Sequence, residues 1–215
     1  MRLIVYDLDG TLVDTKADIG RAVNYALEGL GLPPRPQPTI EQFVGRGLRH
    51  LIQQCVGVDD PARIEEGMRL FRASYAEHLL DESRLYPGAR EVLEYFRSRI
   101  QVVITNKPNP FSQQILDGLG IAEYFAELIA GESAYPEKPD PTGLLAVMGR
   151  HGTTPANTLL VGDSAIDIEM GKRAGITTAA VAHGYVGEDD LRAAGPSVLV
   201  RDFRELLARA RREAW

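Results

Sequence analysis

The sequence predicts an α/β protein: a doubly wound parallel sheet, interrupted after its first strand by an all-helical insertion. Three observations lead there. From about residue 87 onward, short apolar runs alternate with helical periodicities, as in a parallel sheet covered by helices on both faces. One further apolar run, Leu3 to Tyr6, stands alone near the N-terminus. Between Asp14 and Asp81 there is helical spacing and no convincing strand. The expected core is therefore 1–14 with 82–215, and the expected insertion is 15–81.

Taken in order, Leu3 to Tyr6 is apolar enough for a strand buried on both faces. Ile19, Val23, Ala26, Leu27 and Leu30 recur at helical spacing from Lys16, until Gly31 and Pro33-Pro34 stop the helix. Thr39 is placed to cap a helix over Ile40 to Val44. After Gly45-Arg46-Gly47, a helical face resumes through Leu48, Leu51, Ile52 and Cys55. Ile64, Met68, Phe71 and Tyr75 share one side of a helix from Pro61 to Leu79. Pro87-Gly88 opens a helix through Val92, Leu93 and Phe96, ahead of a strand from Gln101 to Thr105. A helix through Phe111, Ile115 and Leu116 precedes a strand at Glu127 to Ala130 and a helix at Pro141 to His151. Strands at Thr158 to Val161, Thr178 to Val181 and Val198 to Val200 follow, with a helix from Ala165 to Ala174 and an amphipathic helix from Phe203. Right-handed crossovers are expected throughout.

Composition bounds the function. The 215 residues are 44% hydrophobic and 25% charged, ordinary for a globular protein. No apolar stretch approaches the roughly 18 residues of a membrane span, and no signal-peptide pattern opens the chain, so a cytoplasmic protein is expected. A net charge of −6 argues against a nucleic-acid surface. His50, His78, His151 and His183 are scattered without zinc-ligand spacing. The single Cys55 excludes an internal disulfide and reads as a small core residue.

The chemistry-bearing residues gather at predicted strand ends. Asp7 and Asp9 follow the first strand, with Gly10 allowing a sharp turn. In extended chain, residues i and i+2 point the same way, so both acids are expected to reach one site at the carboxyl edge of the sheet. Acids so close repel unless a cation shares them, which points to a hard metal ion. Asp-Gly is also an ordinary turn signal, and that reading stays open. The second strand ends in Thr105-Asn106 with Lys107 next, and the fourth in Gly162-Asp163-Ser164 with Asp167 four residues after the first acid. Glu137-Lys138-Pro139 lies in the loop between them. Separately these are a strand end, a loop charge and a helix cap. Together they are what a phosphomonoester site needs: charge neutralisation, an orienting hydroxyl and a carboxylate able to attack phosphorus.

These four segments, Asp7-Leu-Asp-Gly-Thr11, Thr105-Asn106, Lys138-Pro139 and Gly162-Asp163-Ser164 with Asp167, resemble the signature of the haloacid dehalogenase superfamily, in order and across nearly the whole chain. The resemblance implies a Rossmann-like core with the helical insertion as a cap domain. It implies Asp7 as the nucleophile that becomes an aspartyl-phosphate and Asp9 as general acid and base. Thr105, Asn106 and Lys138 would bind phosphate. The Asp7 side chain, the Asp9 carbonyl and Asp163 would hold Mg²⁺, with Asp167 and Ser164 supporting them. A carboxylate at position 9 favours phosphatases and sugar-phosphate mutases within the superfamily.

Val44-Gly45-Arg46-Gly47-Leu48, Thr105-Asn106-Lys107 and His183-Gly184-Tyr185 look most like bacterial phosphoglycolate phosphatases. On that likeness Arg46 is expected to bind the substrate carboxylate as a fork, or else to stand in solvent in a glycine hinge. His183 and Tyr185 either line the entrance or cap the strand. The expected partner is a small phosphomonoester, with no nucleic acid and no membrane, for a monomer or homodimer. Similar sequences act on pyrophosphate, nucleotides or sugar phosphates. A β-phosphoglucomutase-like transferase and a non-enzymatic phosphate sensor are the rival readings.

Overall fold

The computed structural model describes all 215 residues. The chain begins with β1 (Leu3–Tyr6), every residue of which is fully buried. β2 (Val13–Asp14) leads into four helices: α1 (Lys16–Gly29), α2 (Gln37–Glu41), α3 (Leu48–Val56) and α4 (Pro61–His78). β3 (Arg84–Leu85) returns the chain. Then come α5 (Ala89–Tyr95), β4 (Ile100–Pro108), α6 (Phe111–Gly118), β5 (Glu127–Gly131) and α7 (Thr142–Arg150). The last elements are β6 (Thr158–Gly162), α8 (Ala165–Arg173), β7 (Thr177–Val181), α9 (Glu188–Ala194), β8 (Val198–Val200) and α10 (Phe203–Glu213).

Six strands form one parallel sheet in the order β5-β4-β1-β6-β7-β8. The chain builds outward from β1 on one side, through β4 and β5, and then on the other, through β6 to β8. The strand order therefore reverses at β1, where an open α/β sheet forms its ligand crevice. Side chains alternate across the sheet: Ile4 and Tyr6 join one apolar cluster, Leu3 and Val5 another with Leu144, Val147 and Met148 of α7. Helices thus cover both faces.

The first of these clusters also runs into the helical block, where Ile19, Val23 and Leu27 of α1 pack with Ile64, Phe71 and Tyr75 of α4. Each such side chain contributes about 1.5–3 kcal/mol on full burial. Tyr75 meets Phe111 of α6 edge-on, with ring centroids 5.2 Å apart, so the block is seated on the sheet by packing as well as by its two connections.

Several expectations are corrected. Thr39 caps nothing: α2 starts at Gln37, with Pro38 in the first turn, where a missing N–H costs no helical hydrogen bond. β4 continues past Thr105 to Pro108 because it still pairs with β5 there, Pro108 opposite Gly131. A Cβ on Gly131 would lie 2.2 Å from the Asn106 carbonyl oxygen, so only glycine lets the strands stay together at this point. α9 was not expected; only Leu191 is buried on it, and three acids in its first turn suit the helix dipole instead of marking a core face. β2 and β3 were also missed. They pair antiparallel, Val13 with Leu85 and Asp14 with Arg84, and so tie together the two crossings between sheet and helical block.

Asp18, fully buried at the start of α1, completes that tie. Its carboxylate accepts from the backbone N–H groups of Glu82 and Ser83, from Ser83 Oγ at 2.7 Å and from Arg21 at 2.9 Å. Asp18→Ala leaves buried donors without partners and is expected to cost about 2–3 kcal/mol, measured by urea unfolding. A loss under about 0.5 kcal/mol, the range of inert surface changes, would contradict this role.

Candidate active site

Three strand ends and one loop build the site. β1 delivers Asp7, which is 5% exposed. Its Oδ1 accepts from the Leu8 backbone N–H at 2.7 Å and from Lys138 Nζ at 2.7 Å. Its Oδ2 has no hydrogen-bond partner and belongs to a side chain lining the cavity between sheet and helical block. Gly10 then turns the chain at φ +80°; a Cβ there would lie 2.3 Å from Asp163 Oδ2.

β6 delivers Asp163, 1% exposed. Thr11 Oγ1 donates to one of its oxygens at 2.7 Å and the Tyr185 backbone N–H to the other at 2.9 Å. Gly184 is as tightly constrained as Gly10, since a Cβ there would meet the same carboxylate oxygen at 2.2 Å. Asp167 sits in the first turn of α8 and exchanges capping bonds with Ser164. Lys138 Nζ reaches across to it at 2.7 Å, so this one ammonium bridges Asp7 and Asp167.

Oxygens of Asp7, Asp163 and Asp167 all lie within 4.8 Å of one another. Burial raises the pKa of Asp163 to about 8, and the neighbouring charges of Asp7 and Asp167 push the same way. Burial also raises Asp7, with Asp167 adding to the shift and Lys138 opposing it. Burial disfavours the charge on Lys138, but Asp167 and Asp7 outweigh it and hold the ammonium above the usual lysine range. Counting Asp9 and Lys107, four acids face two ammonium groups, which leaves two negative charges over once all four are ionised. A divalent cation held by Asp7, Asp163 and Asp167 restores neutrality with the all-oxygen donors that hard cations take, so the residues fit one.

Asp9 lines the same cavity as Asp7, as expected of the pair. Its carboxylate lies outside this acidic group, because the chain has left the strand at Asp7 and the two-residue alternation no longer applies. Thr15 Oγ1 donates to it at 2.6 Å and Lys107 Nζ to both its oxygens at 3.2 Å. Asp167, expected to support the ligands, brings a carboxylate oxygen within 4.8 Å of those of Asp7 and Asp163.

Thr105 is 4% exposed and lines the cavity. Asn106 lines it too, but its amide is committed to backbone: Oδ1 accepts from Lys138 N–H at 2.8 Å, and Nδ2 donates to the carbonyls of Lys138 and Gly45. It holds the lysine loop and links it to the helical block. Arg46 is exposed and outside the cavity lining, the solvent-facing alternative raised for it. His183 and Tyr185 do not line the cavity either. His183 Nε2 is 3.0 Å from the Thr11 carbonyl, and its ring stacks on Tyr86. Tyr185 OH bonds Thr15. Thr15 and Tyr75 were missed as site residues, Thr15 because a lone threonine carries no motif and Tyr75 because its spacing reads as core. Lys107 was noted only as a neighbour of Thr105-Asn106, yet it is 8% exposed and lies between Asp9 and Tyr75.

With this geometry in hand, comparison with known proteins is specific. The haloacid dehalogenase-like hydrolase family profile matches residues 4–181. A phosphoglycolate phosphatase of Pseudomonas putida is 37% identical, over 96% of this chain and 78% of its own. One of Haemophilus influenzae is 33% identical, over 96% and 97%. The crystal structure of a predicted phosphoglycolate phosphatase from Haemophilus somnus superposes with a TM-score of 0.92 at 32% identity, covering 97% of each chain.

The raised carboxyl pKa values set a pH dependence. Below the unfolded value of 3.8, Asp163 is protonated in both states; between there and about 8 the unfolded chain gives up a proton that the fold retains. Without metal, stability therefore falls as pH rises through this window. A divalent cation favours the ionised acids, so its stabilisation should grow with pH. At a cation concentration 100-fold above Kd the gain is about 2.7 kcal/mol, or roughly 5–10 °C in Tm for a chain of this size. Thermal melts with MgCl2 or EDTA should show that shift at pH 8 and little of it at pH 5. An equal shift at both would contradict the assignment of these acids.

Proposed function

This chain belongs to the haloacid dehalogenase-like hydrolases and is a phosphatase; from that premise we propose that it is a Mg²⁺-dependent phosphomonoester hydrolase, working through an aspartyl-phosphate on Asp7, with 2-phosphoglycolate as its substrate. The observation that carries the mechanism is Asp7 itself. One of its oxygens is pinned by Lys138 and the Leu8 N–H, while the other is unpartnered on a cavity-lining side chain. A carboxylate fixed in that way is oriented for attack.

Asp7 Oδ2 attacks phosphorus, forming the O–P bond of the aspartyl-phosphate as the bond from phosphorus to the ester oxygen breaks. Asp9 gives the departing alkoxide a proton. A water then attacks the phosphorus, passes its proton to Asp9, and releases phosphate and free Asp7. Thr105 orients the phosphoryl oxygens, and Lys138 holds the nucleophile while offsetting phosphate charge. Asp7 and Asp163, with the Asp9 carbonyl and with Asp167 beside them, would hold Mg²⁺, which would supply charge neutralisation at the phosphoryl group. The helical block acts as a cap that keeps water from the first step. The choice of 2-phosphoglycolate draws on the names of the two relatives above. A cytoplasmic setting suits the single buried cysteine, and no helix is long and apolar enough to cross a membrane. Association as monomer or homodimer is compatible with this reading.

Phosphate release with Mg²⁺ tests it, across 2-phosphoglycolate, pyrophosphate, β-glucose 1-phosphate and several nucleoside monophosphates, with EDTA as control. Preference for 2-phosphoglycolate is expected, together with a loss of roughly 10⁴-fold or more in Asp7→Asn, as for other excised nucleophiles. Substantial Mg²⁺-dependent turnover in that variant would overturn the assignment of Asp7. Clear preference for another ester would move the substrate while leaving the mechanism.

A further inference from the structure

The cavity between sheet and helical block takes polar side chains, Asp7, Asp9 and Thr105, from the strand ends and apolar ones, Ile19, Leu48, Leu51 and Phe71, from the helices. Lys107 is the single cationic side chain lining the space. Its Nζ donates to Tyr75 OH at 2.7 Å and lies 3.2 Å from both oxygens of Asp9. One N–H shared between two equidistant oxygens serves Asp9 and a second serves Tyr75, so the third has no protein acceptor. Tyr75 accepts from Lys107 through its phenolic oxygen, and its own O–H finds no acceptor either. Both residues are more than nine-tenths buried.

Two donors without a protein acceptor, one of them on a buried cation, are open to a ligand that brings acceptors. A charged acceptor matches them best, because hydrogen bonds to an ionised group are the strong ones. Lys107 and Tyr75 line the same cavity as Asp7, so the group they bind belongs to a short leaving group. Ile19, Leu48, Leu51 and Phe71 offer no partners to the hydroxyls of a sugar or nucleoside, which would lose their water there without compensation.

We infer that Lys107 and Tyr75 form a leaving-group subsite that binds a carboxylate on the short alcohol portion of the ester. This rests on the phosphatase reading and narrows it to esters of small hydroxy acids. Arg46, the residue first expected in that role, is exposed and outside the cavity. Lys107 comes from β4 and Tyr75 from α4, so the subsite is complete only when sheet and helical block are together. No bond is made or broken here; the subsite recognises charge and shape.

The test compares kcat/KM for 2-phosphoglycolate with that for ethyl phosphate, which has a leaving group of similar length and no carboxylate. The wild type should prefer the carboxylate ester by about 100-fold or more, within the cost of losing one partner of a buried charge pair. Lys107→Met should collapse that ratio towards one, even though losing its contact with Asp9 slows both esters. Tyr75→Phe should lower the ratio about tenfold, and it keeps the question answerable where Lys107→Met fails to fold, as judged by thermal melting. An equal fall on both esters in both variants overturns the subsite and leaves Lys107 a positioning residue for Asp9. Equal wild-type turnover of the two esters overturns the subsite while the phosphatase reading stands. No metal-dependent turnover of either ester overturns the phosphatase reading, and the subsite with it.

Discussion

Lys138 stands between Asp7 and Asp167, 2.7 Å from each, with almost no access to water. Asp163 adds a third buried carboxylate within reach of the other two. Taking these charges out of water is expensive, and mutual attraction in the interior repays it only where geometry is good and the remaining lone pairs are satisfied. Much of the surrounding architecture meets that requirement. The β1 and β6 strand ends bring Asp7 and Asp163 together at the point where the strand order reverses. Asn106 clamps the Lys138 backbone from β4, and the Ser164 capping exchange fixes Asp167. Gly10 and Gly184 keep clear the space that Asp163 fills. The acids remain under-compensated, with Asp163 held protonated by burial well above the ordinary carboxylate range. Stability is given up at a site that gains from a cation and an anionic ligand.

The helical block closes the other side. The cavity lies between the sheet and the block, so the position of the block sets the access to it. The contacts are distributed accordingly. At the crossings, the β2–β3 pair and the saturated Asp18 carboxylate make a dense joint. Over the cavity the links are single contacts: Tyr75 on Phe111, Asn106 on the Gly45 carbonyl, Lys107 on Tyr75 and Arg72 on Glu132.

Much of this was legible in the sequence for definite reasons. β1 and β8 have the expected bounds, since an apolar run on a sheet buried on both faces leaves little ambiguity. The parallel order followed from alternation of strand and helix. Asp7, Lys138, Asp163 and Asp167 were found because each stands at a strand end or in a loop, where no core role explains a charge. What was hidden depends on contacts between distant residues. The extension of β4 through Asn106 and Lys107 needs Gly131 on the neighbouring strand, and polar residues there read as a strand end. β2 and β3 are two residues each and make sense only as partners across the insertion. The Asp9 carboxylate shares the cavity with Asp7 but stands outside the three-acid group, because the backbone leaves the strand between the two. Tyr75 looked like core because by burial it is core; only its hydroxyl faces chemistry.

The central claim, that Asp7 carries the phosphoryl group, is open to direct chemical capture. Asp9→Asn slows the step in which water attacks the aspartyl-phosphate, while p-nitrophenyl phosphate, whose leaving group needs no proton, can still phosphorylate Asp7, so the intermediate accumulates when Mg²⁺ and that ester are supplied. Borohydride reduces an acyl phosphate to the alcohol, which converts an aspartyl residue into homoserine that peptide mass spectrometry locates. The account predicts homoserine at position 7 alone, and only with substrate present. Turnover with an unreduced Asp7, or a reduced acid at any other position, would contradict it.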